Sequence, residues 1–324
     1  MVDIIIPAYN AHDTIVQTLS SVAIQINRDK CNVYIIDDCS DKNYDAEVEM
    51  FKDMFNIKQL RTEKNRGAGY AREFGLRNSS SDYILFLDAD DLLYDCFSLN
   101  KLYNTIDGSN YNLVAGLYIN EGKDVASTFI VDANSIFGCL HGKMYRRSYI
   151  EDNNIHFNYT RYSEDNSFNG IVIHTTSKIK VIDDVVYVYK YNPNSITNDG
   201  AKLVKIHSSY LHNMLWLVKQ LEKRYVDVDS ILCILLNSYV YIYHEVVTHD
   251  DVDFKKMYYN CYMFEEYCKK YGDKIDLPHI YIFISKHFHG DVNYITNMIN
   301  GFISFRNNFK KLGEMNDWCN YTGI

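Results

Sequence analysis

The sequence predicts an α/β fold, with a mostly parallel sheet flanked by helices and followed by a C-terminal α-helical region. Short apolar runs alternate with segments of helical periodicity through the first 91 residues. Three of these apolar runs end in polar or acidic side chains. The long segments after residue 199 carry apolar stripes and contain almost no Gly or Pro. Alternating strands and helices are typical of parallel sheets with right-handed crossover connections.

Each element of the first 91 residues follows from its own pattern. Apolar runs of four or five residues indicate strands buried on both faces, and apolar residues at helical spacing indicate helices with one buried face. In chain order the elements are a strand at 2–6, a helix with Ile15, Leu19, Val22 and Ile26 on one face, a strand at 33–36, a helix at 46–55, a helix after the loop 64–69 that extends to about 77, and a strand at 83–87.

The strand at 83–87 has the most informative sequence, because it leads directly into three carboxylates within four positions, Asp88, Asp90 and Asp91. Carboxylates one residue apart at the end of such a strand are hard oxygen ligands, suited to Mg²⁺ or Mn²⁺ shared with substrate phosphates. The Asp-x-Asp pattern recurs at 227–229 and 251–253 without a preceding strand. We interpret those two copies as solvated surface acids.

Three strand ends are predicted to meet at one edge of the sheet. In open α/β sheets, ligands bind at the carboxyl ends of the strands. Each pair of residues alone could be explained as part of a turn or a helix cap, but all three pairs at one edge predict a binding site. The pairs are Pro7 with Tyr9, Asp37 with Asp38, and Asp88 with Asp90.

The rest of the chain divides into two predicted domains, 1–198 and 199–324. Further strands are predicted at 113–119 and 126–131, and at 179–189 with a central turn at Asp183 and Asp184. The second domain is predicted to be a helical accessory region, with helices at 203–225, 230–247, 257–271 and 292–309.

Composition argues against several classes of function. The net charge of −9 and the lack of a large basic cluster argue against a nucleic-acid surface as the main feature, and leave open only a local groove. The eight cysteines show neither a C-x-x-C pair nor zinc spacing, which favours buried free thiols over disulfides. The sequence contains no signal peptide and no apolar run long enough to cross a membrane, so we expect a cytoplasmic protein.

A dinucleotide-binding fold of the G-x-G-x-x-G type is not supported. Gly67 and Gly69 provide the first two glycines, but Arg72 occupies the third position. The loop also does not directly follow an apolar strand, as that fingerprint requires.

The ordered motifs resemble those of the family 2 inverting glycosyltransferases, which have the GT-A fold. The resemblance extends to about residue 200, and its specificity comes from the order of six motifs that are individually weak. The motifs are at 6–10 (IPAYN), 37–41 (DDCSD), 65–72 (NRGAGYAR), 88–91 (DADD), 142–143 (GK) and 164–165 (ED). One departure is Glu73, where relatives usually have Asn.

The resemblance assigns a role to individual residues. Asp165 would be the general base, and Asp90 would coordinate the metal that bridges the diphosphate of the sugar donor. Asp88 would contact the ribose, next to Ala89, while Gly67 and Arg72 would shape the same pocket. The residues that would hold the nucleobase are Pro7, Tyr9 and Asp38, with Asp37 nearby.

The resemblance implies a metal-dependent enzyme that uses Mn²⁺ or Mg²⁺ and transfers a sugar from a UDP-hexose to an acceptor hydroxyl. The acceptor could be a glycan, a lipid-linked sugar, a protein or a modified nucleobase. Two alternatives are a nucleotidylyltransferase acting on sugar phosphates and a non-catalytic relative that binds nucleotide sugars. The loop at 7–10 is neither basic nor glycine-rich, which argues against the first, and the acids at 90 and 165 argue against the second.

Three histidines are candidates for a further role. His141 lies in a loop predicted on the acceptor side, so it is a candidate for lining the acceptor pocket or binding the metal. His174 and His207 are alternative third ligands. A lone histidine, however, is more often a hydrogen-bonded structural residue.

Overall fold

The computed structural model describes residues 1–131, 138–160, 162–193 and 203–235, together with positions 237, 238, 270, 296, 300 and 304. The chain forms two compact units, Met1–Asn198 and Asp199–Ile324. The first unit is a mixed sheet with helices, which confirms the predicted α/β class. Of the helices predicted at 257–271 and 292–309, only positions 270, 296, 300 and 304 are described. Of the helix predicted at 230–247, residues 236 and 239–247 lie outside the described residues.

The strands and helices predicted for the first 91 residues are present, but the sequence did not predict the strand Asn56–Arg61, which lies between two predicted helices. The strands are β1 (Val2–Ala8), β2 (Cys31–Asp37), β3 (Asn56–Arg61), β4 (Tyr83–Phe86), β5 (Leu92–Leu93), β6 (Leu113–Asn120), β7 (Phe129–Val131), β8 (Lys143–Arg146) and β9 (Ile179–Tyr189). The helices are α1 (His12–Ala23), α2 (Asp45–Phe51), α3 (Ala68–Arg77), α4 (Ser98–Ile106), α5 (Arg147–Asp152) and α6 (Glu164–Thr175).

The first four strands form the parallel half of the sheet, in the spatial order β3-β2-β1-β4. Their apolar runs are buried, as expected for strands covered on both faces; β4, for example, is buried at all four positions. Because these strands run in the same direction, the ends of β1, β2 and β4 meet at one edge. This edge carries the candidate site.

The other half of the sheet is mixed rather than parallel. β8 lies between β4 and β6 and is antiparallel to both, whereas β9 runs parallel to β6. The strand predicted at 126–131 is confirmed over Phe129–Val131 as β7, which is antiparallel to β6. β8 was not predicted, because it begins at a buried Lys143 and ends at Arg146 and therefore lacks an apolar run.

β9 is continuous across Asp183 and Asp184, where the sequence predicts a turn. The pairing with β6 shifts here, since Ala115 pairs with Val181 but Leu117 pairs with Val185. Gly116 makes this bulge possible: a Cβ at that position would lie 2.5 Å from Val186 Cγ2 and 3.0 Å from the carbonyl oxygen of Asp184. The two acids are accommodated by an irregular strand and do not end it.

The second unit is helical where it is described. Its helix α7 spans Leu203–Lys223, and residues 228–235 are also helical. Buried side chains recur along α7 at helical spacing, at Leu211, Met214, Val218 and Leu221. Among the described residues, the structure contains no helix with the length and apolar character needed to cross a membrane.

Candidate active site

A cavity of about 480 Å³ opens at the carboxyl ends of β1, β2 and β4. This volume is within the usual range for small-molecule sites. The cavity brings together eight of the residues predicted from the sequence, which are Pro7, Tyr9, Asp38, Gly67, Arg72, Asp88, Ala89 and Asp90. Other residues in its lining include Asp13 and Thr14 on α1, Asn65, and Asn192 after β9.

Asp38 organises the loop on one side of the cavity. Its buried carboxylate accepts hydrogen bonds from the backbone N–H of Arg66 at 2.9 Å and of Gly67 at 2.7 Å, and from the Thr62 hydroxyl at 2.9 Å. Gly67 has a φ of 91°, in a region that favours glycine, and α3 begins immediately after it. Asp38 therefore fixes the loop that leads into α3.

Asp37 is not among the residues that line the cavity. Its side chain is fully buried, pairs with Arg61 and accepts the backbone N–H of Ser40 at 2.7 Å. These contacts stabilise the turn after β2. The predicted position of Asp37 near the nucleobase stays a prediction.

Asp88, Asp91 and His141 form a cluster next to the cavity. The Nε2 atom of His141 lies 3.9 Å from an oxygen of Asp88 and 3.8 Å from an oxygen of Asp91. One candidate ligand atom from each of the three residues lies within 4.8 Å of the others. Two carboxylates and an imidazole are a donor set that fits a divalent cation.

Burial and the neighbouring charges have opposing effects on the pKa values of Asp91 and His141. Burial raises the pKa of Asp91 to about 8; His141 opposes this rise, and the charges of Asp88 and Asp90 add to it. Burial alone would lower the pKa of His141, but the negative charges of Cys139, Asp91 and Asp88 raise it to about 9. A cation bound by these groups would compete with their protons.

Aromatic side chains hold His141 in place. Its ring stacks on those of Tyr187 and Tyr189, each with a centroid distance of 4.9 Å, and makes an edge contact with Tyr118 at 5.2 Å. Tyr187 also donates a hydrogen bond to Asp91 Oδ2 at 2.6 Å. The backbone N–H of Lys190 donates to the other oxygen of Asp91 at 2.9 Å.

Tyr187→Phe is expected to destabilise the fold, because it removes one of these donors from a fully buried carboxylate. Loss of such a partner costs ~1–3 kcal/mol, which should lower the melting temperature by several degrees. Thermal unfolding of the variant beside Tyr94→Phe, whose ring is exposed, provides the measurement and its control. Equal melting temperatures for both variants would contradict this role of Tyr187.

Asp90 lies next to the cluster of Asp88, Asp91 and His141 but is not part of it. Its carboxylate lines the cavity and accepts a hydrogen bond from Asn192 Nδ2 at 2.9 Å. Burial raises the pKa of Asp90, and the nearby charge of Asp88 raises it further. Its role as the metal ligand stays a prediction.

Arg72 connects the cavity to the start of α6. Its buried guanidinium donates from Nη2 to Asp88 Oδ1 at 2.6 Å and from Nη1 to Glu164 Oε1 at 2.7 Å. Burial raises the pKa of Glu164 to about 7, although the charge of Arg72 opposes this rise. Burial alone would also raise the pKa of Asp88, but Arg72 holds it below its ordinary value.

Comparison with known proteins identifies the family of the part of the chain that carries most of this cavity. Residues 3–163 match the family described as Glycosyl transferase family 2. Over 215 residues the chain is 32% identical to the poly(ribitol-phosphate) beta-N-acetylglucosaminyltransferase TarP of Staphylococcus aureus. The aligned residues cover 61% of this chain and 64% of TarP. Residues 3–163 of the chain therefore form a glycosyl transferase family 2 domain.

A second relative, TarS of S. aureus, is named for the same activity and is 26% identical over 200 residues, or 57% of this chain and 35% of TarS. The chain thus spans less than two thirds of the length of these relatives. A crystal structure of TarS 1–349 with UDP-GlcNAc superposes with a TM-score of 0.71 at 18% identity, covering 95% of this chain and 92% of TarS 1–349.

The mannosyltransferase PcManGT of Pyrobaculum calidifontis, solved with GDP-Man and Mn²⁺, has a TM-score of 0.53 at 16% identity and covers 96% of this chain and 87% of that one. At such low identities the two structural matches bear on the fold alone. Together with the family match they confirm the predicted GT-A fold.

Asp165, the base predicted for this family 2 domain, lies in the first turn of α6. It is partly exposed, unlike the buried Glu164 before it, and accepts a hydrogen bond from Asn166 Nδ2 at 3.3 Å. It is not among the residues that line the cavity, but its charge acts on Arg72 and Lys143. Its role stays a prediction.

Sequence reasoning gave no role to Asp91, Tyr187 or Asn192, whereas it made His141 a candidate for lining the acceptor pocket or binding the metal. The sequence features that could have indicated these residues are the third acid after β4 and the tyrosines at 187 and 189, which share one face of a strand. His174 lies in the last turn of α6, at the opposite end of that helix from Asp165. The side chain of His207 lies outside the described part of the chain.

Proposed function

We propose that this protein transfers a sugar from a UDP-sugar to an acceptor hydroxyl with inversion at the anomeric carbon. The observation that carries the proposal is the bridge made by Arg72, which joins Asp88 in the cavity to Glu164, the residue next to Asp165. One side of this bridge suits a nucleotide sugar, and the other offers a carboxylate that is available to an acceptor.

The cavity suits a nucleoside diphosphate. The ring of Tyr9 is half exposed at the cavity and offers a flat face to a nucleobase. Asp38, whose carboxylate already orders the neighbouring loop, lies on the same side with Pro7. We assign the nucleobase to this side and the ribose to Asp88, in keeping with the motifs of the family.

The residues at the end of β4 fit a divalent cation. We assign Asp90, Asp88 and His141 as the residues that would hold Mn²⁺ or Mg²⁺. We assign Asp91 a supporting role, because both of its oxygens accept hydrogen bonds and its side chain is buried. The chemistry supplied by a bound cation is charge neutralisation on the diphosphate leaving group. The presence of an imidazole favours Mn²⁺ over Mg²⁺, which prefers oxygen ligands.

The transfer step needs one base. Asp165 accepts the proton of the acceptor hydroxyl, whose oxygen attacks the anomeric carbon from the face opposite the diphosphate. The bond between the sugar and the diphosphate breaks, and its electron pair leaves with the nucleoside diphosphate. A single displacement of this kind inverts the anomeric configuration. A positioned base contributes typically ~10²–10⁴ to the rate.

The activities for which the relatives are named suggest the first substrates to test. TarP and TarS are named for N-acetylglucosamine transfer to poly(ribitol phosphate), so we propose UDP-GlcNAc and a polyol-phosphate polymer as first candidates. Glycans, lipid-linked sugars, proteins and modified nucleobases remain as other acceptors. The predicted division into two domains and the predicted cytoplasmic location stay predictions.

A panel experiment tests the proposal. The protein is incubated with UDP-GlcNAc, UDP-Glc, UDP-Gal or GDP-Man, with and without Mn²⁺ and poly(ribitol phosphate), and release of the nucleoside diphosphate is measured. We expect one UDP-sugar to be turned over with Mn²⁺ and faster with an acceptor. Release of pyrophosphate from a sugar phosphate and a nucleoside triphosphate would instead indicate nucleotidylyl transfer. Turnover of none of the nucleotide sugars would contradict the proposal.

A further inference from the structure

We infer that Glu164 is a positioning residue, which holds the catalytic carboxylate of Asp165 in register with the sugar-donor site through Arg72. The inference rests on the proposed function and deepens it by giving separate roles to the two adjacent acids of α6. Glu164 acts from inside the protein, whereas Asp165 meets the acceptor.

The first argument is the geometry of the Arg72 bridge. One guanidinium donates to Asp88 at the end of β4 and to Glu164 at the start of α6, at 2.6 and 2.7 Å. The side chains of Arg72 and Glu164 are 7% and 6% exposed. A planar guanidinium presents its donors in a rigid fork, so it fixes the two carboxylates relative to each other more tightly than a lysine would.

The second argument is the close approach of α6 to α3. A Cβ on Gly69 would lie 2.4 Å from Glu164 Cγ and 3.1 Å from Glu164 Cβ. Gly69 lies three residues before Arg72 and therefore on the same face of α3. Its missing side chain makes room for Glu164 to reach the guanidinium, so the helix start is held by packing as well as by charge.

The third argument is the backbone that precedes the pair. Ser163 has a φ of 61°, in the left-handed region that non-glycine residues seldom adopt. This conformation starts α6 abruptly at Glu164, and Asp165 follows in the same first turn. Because Glu164 is clamped on one side of the turn, the backbone that carries Asp165 is fixed relative to Asp88.

The same contacts argue against Glu164 as the base. Its carboxylate is buried and engaged by Arg72, so an acceptor hydroxyl has little access to it. Asp165 is partly exposed. A residue that acts through others should affect the rate of transfer more than the affinity for the sugar donor.

The test uses two variants that disturb Glu164 in different ways. Glu164→Gln keeps the size of the side chain at 164 but removes its charge. Gly69→Ala displaces the side chain of Glu164 without changing any charge. For each, calorimetry with UDP-GlcNAc and Mn²⁺ gives the affinity and the number of binding sites, and single-turnover transfer to poly(ribitol phosphate) gives the rate per binding site. Glu49→Gln, an exposed position on α2, is the control.

We expect both variants to bind UDP-GlcNAc within about threefold of wild type and to transfer ~10–100-fold more slowly per binding site, the range seen when a supporting residue is removed. A structural role alone would reduce the number of binding sites but not the rate at each site. A wild-type rate per site in Glu164→Gln would overturn the inference, as would a loss of affinity that accounts for the whole loss of rate.

Asp165→Asn separates this inference from the proposed function. If Asp165→Asn loses transfer while Glu164→Gln retains it, the inference alone fails. If Asp165→Asn retains transfer and Glu164→Gln loses it completely, Glu164 is the base and the inference is overturned. If the wild-type protein transfers no sugar at all, the proposed function itself fails.

Discussion

Asp90→Asn will lower sugar transfer by ~10²-fold or more while leaving the fold intact, because a bound divalent cation supplies several kcal/mol of charge stabilisation and each 1.4 kcal/mol is a factor of ten. The substitution removes one negative charge from the cavity with almost no change in volume. The measurement is the initial rate of UDP release with UDP-GlcNAc and Mn²⁺. Thermal melting of the same preparation, with and without these ligands, reports binding.

The matched control is Asp229→Asn. Asp229 belongs to another Asp-x-Asp sequence, at 227–229, but it is exposed and follows no strand. This variant should retain wild-type turnover and the full upward shift of the melting temperature with UDP-GlcNAc and Mn²⁺. The Asp90 variant should show a smaller shift. Turnover of Asp90→Asn at the wild-type rate would mean that the metal assignment is wrong.

Asp165→Asn should separate binding from chemistry. An amide keeps the shape of the side chain and can still accept a hydrogen bond, but it cannot take the proton from the acceptor hydroxyl. Affinity for the sugar donor and for Mn²⁺ should therefore stay within a few-fold of wild type, while transfer falls by ~10²–10⁴. Calorimetric binding and single-turnover transfer on one preparation provide both values.

A suitable control for this variant is Asp152→Asn, at the exposed end of α5. It makes the same chemical change far along the chain from the predicted donor motifs and should transfer at the wild-type rate. If Asp165→Asn keeps more than about a tenth of the wild-type rate, a loss smaller than a positioned base normally causes, then Asp165 is not the base.

Three of the four strands in the parallel half of the sheet could be predicted because their information is local, whereas β3, with only partly buried positions among exposed ones, has no apolar run. Each of β1, β2 and β4 contains an apolar run, and each leads into the polar residues that meet at the sheet edge. Parallel strands covered on both faces have this pattern for a physical reason, since neither face meets water. The convergence of Tyr9, Asp38 and Asp90 on one cavity follows from that topology.

The mixed half depends on contacts that no local pattern contains. β8 includes a buried Lys143, whose ammonium is satisfied by the carbonyl oxygen of Cys139 at 2.8 Å, a partner outside the strand. β9 continues through Asp183 and Asp184 because Gly116, on a different strand, leaves room for the bulge. In both cases a distant residue makes an unfavourable local sequence tolerable.

The same limit applies to the site. Arg72 and Glu164 are 92 residues apart in sequence, and Tyr187 and Asp91 are 96 apart. Charge pairs and hydrogen bonds over such separations depend on the three-dimensional register of several elements. The local sequence could therefore indicate carboxylates at a strand end, but it could not indicate which of them pairs with a buried arginine or tyrosine.

The anomeric configuration of the product tests the central claim most directly. Transfer from UDP-α-GlcNAc to poly(ribitol phosphate) is followed by proton NMR, and the coupling of the new anomeric proton distinguishes the two configurations. A single displacement assisted by one base predicts a β-linked product, with a large coupling. An α-linked product would contradict the inverting mechanism, and release of UDP without any sugar on the acceptor would contradict transfer itself.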